Sequence, residues 1–495
     1  MLQKRESTIL TNIRFCFTIL YIVMFSFYNL LPYKILVNCS DAVIYAMIPV
    51  IGLILLVADV LYKQNLFKIP YADILILFFI VYFVSVILNF KYGYIDNFKG
   101  MLWMCIQVFA LCGLDPIVDK DTHLKHFRIL SNIYIFIYLI GFVWSFVQYV
   151  IGYGGYCEVF IDEKMTYRRI GFIEARLFGV FTDPNYACIS ALISAGLIFF
   201  NLKAFKCNIG LKVYYIFALI MQIFYAILSG SRTGLLIVML IGFAVGGFLI
   251  TAQMKRKSVI LKIISFCLSG VICMAVVFGC YQGIKKCLSY IPSAYSTVVK
   301  SDETSENNFV SPPVDFNRED VDINNFSNNR FSIWKDSIEI IKKSPLFGTG
   351  PRSYLAFAEE HFDDLYIVEK QYSVHNGYLA LFVGTGIIGG GLMLFWLVRV
   401  VILVISYLVR RWNNKDEFYW PIFSCTLVLF VEAISAFPLM ALFFCNQSSD
   451  IIFWIVLGFT LLFLRKSEPE RYEKQSITGR IFSFLSLKKY NKDVV

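Results

Sequence analysis

Charge is what this chain has least of: 16% of its 495 residues are Asp, Glu, Lys or Arg, against 58% hydrophobic residues. A water-facing surface needs far more polar coverage, so a soluble globular fold is excluded. Thirteen cysteines form no CxxC pair, and most sit in apolar stretches, as Cys105, Cys267 and Cys273 do. The odd total and the missing spacing argue against a disulfide framework and a metal site, and the cysteines read as core residues. No small-residue cleavage site follows the apolar run at residues 20–28, although Lys4, Arg5 and Arg14 precede it, so it reads as a retained first helix. Short alternating strands, the mark of a membrane β-barrel, are also missing.

What is present is a succession of apolar runs, each long enough to cross a ~30 Å hydrocarbon core as a helix. They are placed at residues 13–33, 41–62, 71–90, 98–114, 129–152, 185–201, 211–229, 234–252, 258–281, 377–409, 418–443 and 449–464. The reading is an all-α polytopic membrane protein of about twelve transmembrane helices with a long extracytoplasmic loop containing amphipathic helices. Residues 1–281 carry the first nine spans, 282–376 the long loop, 377–464 the last three spans, and 465–495 a basic tail. The run at 377–409 is long enough to tilt or to break at Gly389-Gly390-Gly391.

Alternate loops hold Lys63 and Lys68; Lys120, Lys125 and Arg128; Lys203, Lys206 and Lys212; Lys255, Arg256 and Lys257; and Arg410, Arg411 and Lys415. Basic residues stay on the cytoplasmic side, which places both termini inside and the long loop outside. The net charge of +10 is explained this way rather than by nucleic acid, and Lys488 and Lys489 of the tail would lie on anionic inner-leaflet lipid.

Three polar places then share the external face: the loop at 153–185, the tight turn at 229–234, and the long loop. Within the last, residues 301–328 are rich in Asp, Asn, Ser and Pro and read as flexible. Phe331, Trp334, Ile338 and Ile341 recur at helical spacing and predict an amphipathic helix over 330–343, lying on the membrane or on the bundle and stopped by Pro345. Pro351 is expected to begin a second helix.

Five stretches together resemble the O-antigen ligase and Wzy-type polysaccharide polymerase superfamily, which is of the GT-C type. They are Arg-Leu-Phe-Gly-Val-Phe-Thr-Asp-Pro-Asn (176–185), Ser-Arg-Thr (231–233), Asn-Arg-Phe-Ser-Ile-Trp (329–334), Ser-Pro-Leu-Phe-Gly-Thr-Gly (344–350) and His-Asn-Gly-Tyr-Leu (375–379), with Gly-Thr-Gly-Ile-Ile-Gly (384–389) following. The resemblance spans roughly residues 170–395 and rests on order and placement, since each motif alone is weak. It implies a glycosyltransferase of the bacterial cytoplasmic membrane that moves a glycan from a polyprenyl diphosphate carrier to an acceptor glycan or lipid. A flippase and a chain-length regulator are the protein partners it implies. Gly384 stands where many members carry an acidic residue.

The chemistry assigns roles to match. Negative charge grows on a diphosphate leaving group, and arginine forks two donors onto phosphate oxygens, so Arg232 and Arg330 are expected to hold the diphosphate with Arg176 in support. An acceptor hydroxyl needs its proton taken, and His375 is the expected base, with Asn376, Trp334 and Asn185 in supporting places. The external face is read as holding no Asp-x-Asp pair and no His/Cys cluster with ligand spacing, so a reaction without metal or cofactor is expected. Spacing alone also fits plainer roles. Arg232 reads as a snorkelling interfacial residue, Arg330 as a solvated helix-face charge, and His375 as packing beside the better helix cap Asn376. Trp334 reads as stacked on a sugar or buried against lipid. His123, His126 and His361 read as surface residues, and Gly348 and its neighbours as a hinge packed on the bundle.

Polymerisation of lipid-linked repeat units is the leading reading, and transfer of a finished glycan to lipid or protein its neighbour. A secondary transporter is the rival from another class. It would want ionisable groups near the midplane, where Glu432 stands out, with Asp59 near a cytoplasmic end; no internal repeat supports it.

Overall fold

The computed structural model describes residues 2–30, 40–58, 69–161, 164–254, 257–300, 313–316 and 329–475. Before the long loop come α1 (Leu2–Tyr28), α2 (Ser40–Ala58), α3 (Ala72–Leu88), α4 (Tyr94–Cys105), α5 (Lys120–Val150), α6 (Pro184–Ala204), α7 (Ile209–Leu228), α8 (Arg232–Thr251) and α9 (Val259–Ser289). The loop holds α10 (Ile291–Lys300), α11 (Arg330–Lys343), α12 (Tyr354–His361) and α13 (Tyr366–Glu369). After it come α14 (Gly377–Arg411), α15 (Tyr419–Ser435), α16 (Ser448–Ser467) and α17 (Pro469–Glu473).

Every apolar range expected from the sequence overlaps a helix. Among the described residues, eight helices are long and apolar enough to cross a membrane, and Met47–Ala58, α3 and α15 are shorter apolar helices. The stretch 301–328 apart from residues 313–316, Asp59, Lys63, Lys68, Lys255, Arg256 and the tail beyond 475 with Lys488 and Lys489 lie outside the described residues.

Helix α16 forms the axis of the bundle, since every residue from Ser448 to Leu464 is buried. A helix apolar on all sides must be surrounded by others, and α16 packs against α15, α1 and α6. Helix α9 is the opposite case. It packs chiefly along α8, and Ile263, Leu268 and Ile272 face outward. Cys267 is exposed with them, which corrects its reading as a core residue: apolar surroundings in sequence do not separate a core face from a lipid face.

The polar stretch at 153–185 is folded. Strands β1 (Gly154–Ile161), β2 (Lys164–Ile173) and β3 (Arg176–Gly179) form an antiparallel sheet in sequence order, with Gly154 opposite Gly171 and Ile161 opposite Lys164. Strand β3 leads into α6, whose start is fixed by Asp183 as the N-cap and Pro184 in the first turn.

Two details of the long loop and its exit differ from expectation. Helix α11 forms over the expected residues, yet its buried positions are Ile333, Ser337 and Ile340, while Phe331 is 66% and Ile338 43% exposed. The helix has two apolar edges, and packing against α13 and α14 selects one of them. The break in α14 falls at Gly386 (φ 66°, ψ −174°) rather than at Gly389-Gly390-Gly391. There the chain 345–350 docks: Thr349 N donates to Val383 O (2.9 Å), Gly350 N to Gly384 O (3.0 Å) and Ile387 N to Pro345 O (2.7 Å). These bonds satisfy backbone groups freed by the break, and a Cβ on Gly386 would lie 2.3 Å from Leu346 O. Pro351 therefore belongs to this docked turn, and the next helix begins at Tyr354.

Candidate functional site

The His-Asn-Gly sequence is explained residue by residue. His375 takes a left-handed backbone conformation (φ 48°), uncommon for a residue with a side chain. Asn376 caps α14, its Oδ1 accepting from Leu379 N at 3.0 Å. Gly377 N donates to Ala436 O (2.7 Å) and Leu439 O (3.0 Å), and a Cβ there would meet Ala441 O at 2.1 Å. The turn is thus pressed onto the segment joining α15 to α16. Trp334 Nε1 donates to His375 O at 3.4 Å, and the indole packs 5.3 Å from the Phe437 ring. Trp334 therefore braces the histidine turn, which is neither stacking on a sugar nor burial against lipid.

The arginines arrive from separate elements. Arg176, at the start of β3, donates from Nε to Ser229 O (2.9 Å) and from Nη2 to Asn185 Oδ1 (2.9 Å). It thereby joins the sheet, the first turn of α6 and the turn before α8. Arg232 is the first residue of α8, where Ser231 Oγ accepts from Gly234 N at 3.2 Å. Arg330 is the first residue of α11 and lies near enough to Arg232 for their charges to repel. Burial, then Arg232, holds the Arg330 guanidinium below its usual range, with Asp183 and Tyr186 opposing. His375 is lowered by burial first, then by Arg330, with Asp183 opposing.

The structure therefore brings His375, Arg330 and Arg232 into one electrostatic neighbourhood, with Arg176 held by Asn185. Asn376 is turned inward, 3% exposed, with its Oδ1 engaged in capping the turn. The cations stand at the N-termini of α8 and α11, and Asn185 and His375 adjoin those of α6 and α14. Helix N-termini present N–H groups and partial positive charge, so these termini together with the arginines offer chemistry suited to an anion.

Asp183 was missed as a member of this group. Its sequence signal, Asp-Pro-Asn, marks a helix start, and its Oδ1 does accept from Asn185 N (2.7 Å); its proximity to His375 and Arg330 is tertiary. Glu432 is fully buried beside Asp450. Asp450 in turn accepts from Leu442 N (2.5 Å) and Gln447 N (2.9 Å), pinning the segment on which the histidine turn rests. Gly384 leaves no room for the acidic side chain of the related pattern, because a Cβ would approach Pro351 Cγ to 2.7 Å.

A cleft of about 460 Å³ runs between α6, α7, α8, α9 and α15. Leu192, Phe199, Ile223, Val277 and Tyr281 line it, and it reaches Gly234 in the first turn of α8, beside Arg232. An apolar cleft that reaches the first turn of a helix beginning with an arginine fits an amphiphile with an anionic head.

The other histidines are not all on the surface. His123 is 1% exposed and bonds through Nε2 to Asp115 O (2.9 Å), a correction that follows from the packing of its ring edge on Phe459. His126 stacks on Phe15 and His361 on Phe357. Asp320-Val321-Asp322 is an Asp-x-Asp pair in the long loop, which corrects the reading that the external face has none; it lies outside the described residues.

Residues 217–394 match the family model described as O-Antigen ligase, a range that includes Arg232, Arg330 and His375 but neither Arg176 nor Asn185. No curated protein matches the chain.

Proposed function

We propose that this chain, whose residues 217–394 match the O-Antigen ligase family model, is a membrane glycosyltransferase that polymerises lipid-linked oligosaccharide repeat units. The donor is a polyprenyl diphosphate glycan, and the site faces outward from a bacterial cytoplasmic membrane crossed about twelve times, with both termini inside. The observation that carries this reading is the meeting of Arg232, Arg330 and His375 at helix N-termini above the apolar cleft. The isoprenoid tail occupies the cleft, and its diphosphate lies between the two arginines.

In the reaction, the bond from the donor's anomeric carbon to the diphosphate oxygen breaks, and a bond from that carbon to the acceptor oxygen forms. The arginines and helix dipoles take up the charge that grows on the departing diphosphate. His375, kept neutral at pH 7 by its burial and by Arg330, receives the acceptor hydroxyl's proton. No metal takes part. Its left-handed turn, braced by Trp334 and by Gly377 on the 436–441 segment, fixes the imidazole against the donor.

Purified protein given a defined polyprenyl diphosphate oligosaccharide is expected to produce a ladder of longer chains. A single transfer to an added lipid acceptor would instead establish ligation, which uses the same donor. Absence of transfer under both conditions would overturn the enzyme reading.

A further inference from the structure

Glycosyl transfer brings two glycans together, and the arginine cluster accounts for one. A second cavity, of about 730 Å³, is bounded by the end of α1, Pro49 of α2, the length of α4, Arg352 and residues 444–447 before α16. Its wall differs in kind from the apolar cleft. Tyr28 and Trp103 stand beside Asp96, Lys99, Arg352 and Asn446. Aromatic rings receive the C–H faces of sugars, while amide, guanidinium and carboxylate groups match paired hydroxyls.

Several of these polar groups retain bonding capacity. Asn446 Oδ1 accepts from Tyr21 Oη (3.3 Å) and Gln107 Nε2 (2.7 Å), and its own amide N–H groups have no partner among the described residues. Arg352 donates from Nη2 to Phe444 O (2.8 Å), and its Nε and Nη1 have no hydrogen-bond partner among the described residues. Asp96 and Lys99, at the rim, are 3.4 Å apart with both side chains exposed. A lipid tail would leave these groups desolvated and unpaired, whereas a polyhydroxylated ligand satisfies them.

The cavity borders the proposed reaction site across one thin segment. Met440 O accepts from Tyr186 Oη (2.9 Å) on the side of the arginines, and Phe444 O accepts from Arg352 on the side of the cavity. Three residues lie between them, so the carbonyls are four residue steps and at most about 14 Å apart. Tyr354, just beyond Arg352, donates to Tyr372 O (3.0 Å), and the Tyr372 ring lies 6.2 Å from that of His375. We propose that this cavity is the acceptor subsite, holding the terminal sugars of the acceptor glycan on the opposite side of the 440–444 segment from the arginines. The inference rests on the glycosyl-transfer reading for its role, though not for its ligand class.

The test uses full-length protein in detergent and two probes: geranylgeranyl diphosphate for the donor site, and the delipidated repeat oligosaccharide of the host's own surface glycan for the cavity. Leu102→Trp narrows the cavity from its wall, and Asp96→Ala removes a rim acceptor on an exposed side chain whose loss leaves the fold intact. Both variants are expected to weaken oligosaccharide binding in calorimetry roughly tenfold while geranylgeranyl diphosphate affinity stays within about twofold. Unchanged oligosaccharide affinity in both variants, or no oligosaccharide binding by the unmodified protein, overturns the subsite. Oligosaccharide binding that responds to both variants in a protein that elongates no lipid-linked glycan would keep the subsite and remove the transfer reading. Elongation with an acceptor KM unmoved by either variant would do the reverse.

Discussion

The indole N–H of Trp334 donates to the backbone carbonyl of His375 across 3.4 Å, tying the helix at the end of the long loop to the turn that presents the imidazole. That bond makes α11 part of the histidine's support, since the backbone conformation it braces is one that a side-chain-bearing residue rarely holds alone. Trp334→Phe keeps the packing on Phe437 and removes the donor. A loss of about 1 kcal/mol of positioning predicts a roughly fivefold fall in kcat, with donor affinity unchanged. An unaltered kcat would remove Trp334 from the support of the site.

Arg232→Ala and Arg330→Ala are each expected to weaken geranylgeranyl diphosphate binding, by about 10- to 100-fold for the loss of charge-assisted bonds of ~1.5–3 kcal/mol. Calorimetry or a fluorescent analogue reads this directly. Full affinity in both variants would sink the diphosphate clamp.

The pH profile carries a sign that geometry fixes. A base works when deprotonated, and burial with Arg330 lowers His375, so the acid limb of kcat/KM is expected below the ordinary histidine range near ~6.5. Arg330→Gln removes a charge that lowers His375 and moves the limb upward; Asp183→Asn removes one that raises it and moves the limb downward. Limbs that fail to move in opposite directions would separate the measured titration from His375. His375→Ala should abolish turnover and keep donor binding.

Chelation tests the expected metal independence, with Asp320 and Asp322 as the acidic pair that makes the test worthwhile. Activity is expected to survive EDTA. Loss on chelation with recovery on adding a divalent ion would contradict it.

Gly386→Ala forces a side chain onto a positive φ and into contact with Leu346. A destabilisation of about 1–3 kcal/mol is expected, read as a lowered melting temperature in detergent. The same substitution at Gly391, where a Cβ meets open space, should be nearly neutral.

The sequence by itself determined the apolar helices, the extent of α11, and Asn376 as a cap, because hydropathy, the 3.6-residue period and capping are local properties. The sequence also placed Arg232 in the tight turn 229–234 between two spans, and the structure makes it the first residue of α8. Tertiary structure decided which edge of α11 is buried, since Phe331 and Ile333 are equally apolar and only packing on α13 and α14 chooses between them. It placed the break at Gly386 rather than three residues on, because the docked chain 345–350 supplies the missing backbone partners there. It also brought Asp183, Arg330 and His375 together from three distant stretches. No local pattern encodes that meeting, which depends on where separate helices begin relative to one another in the folded bundle.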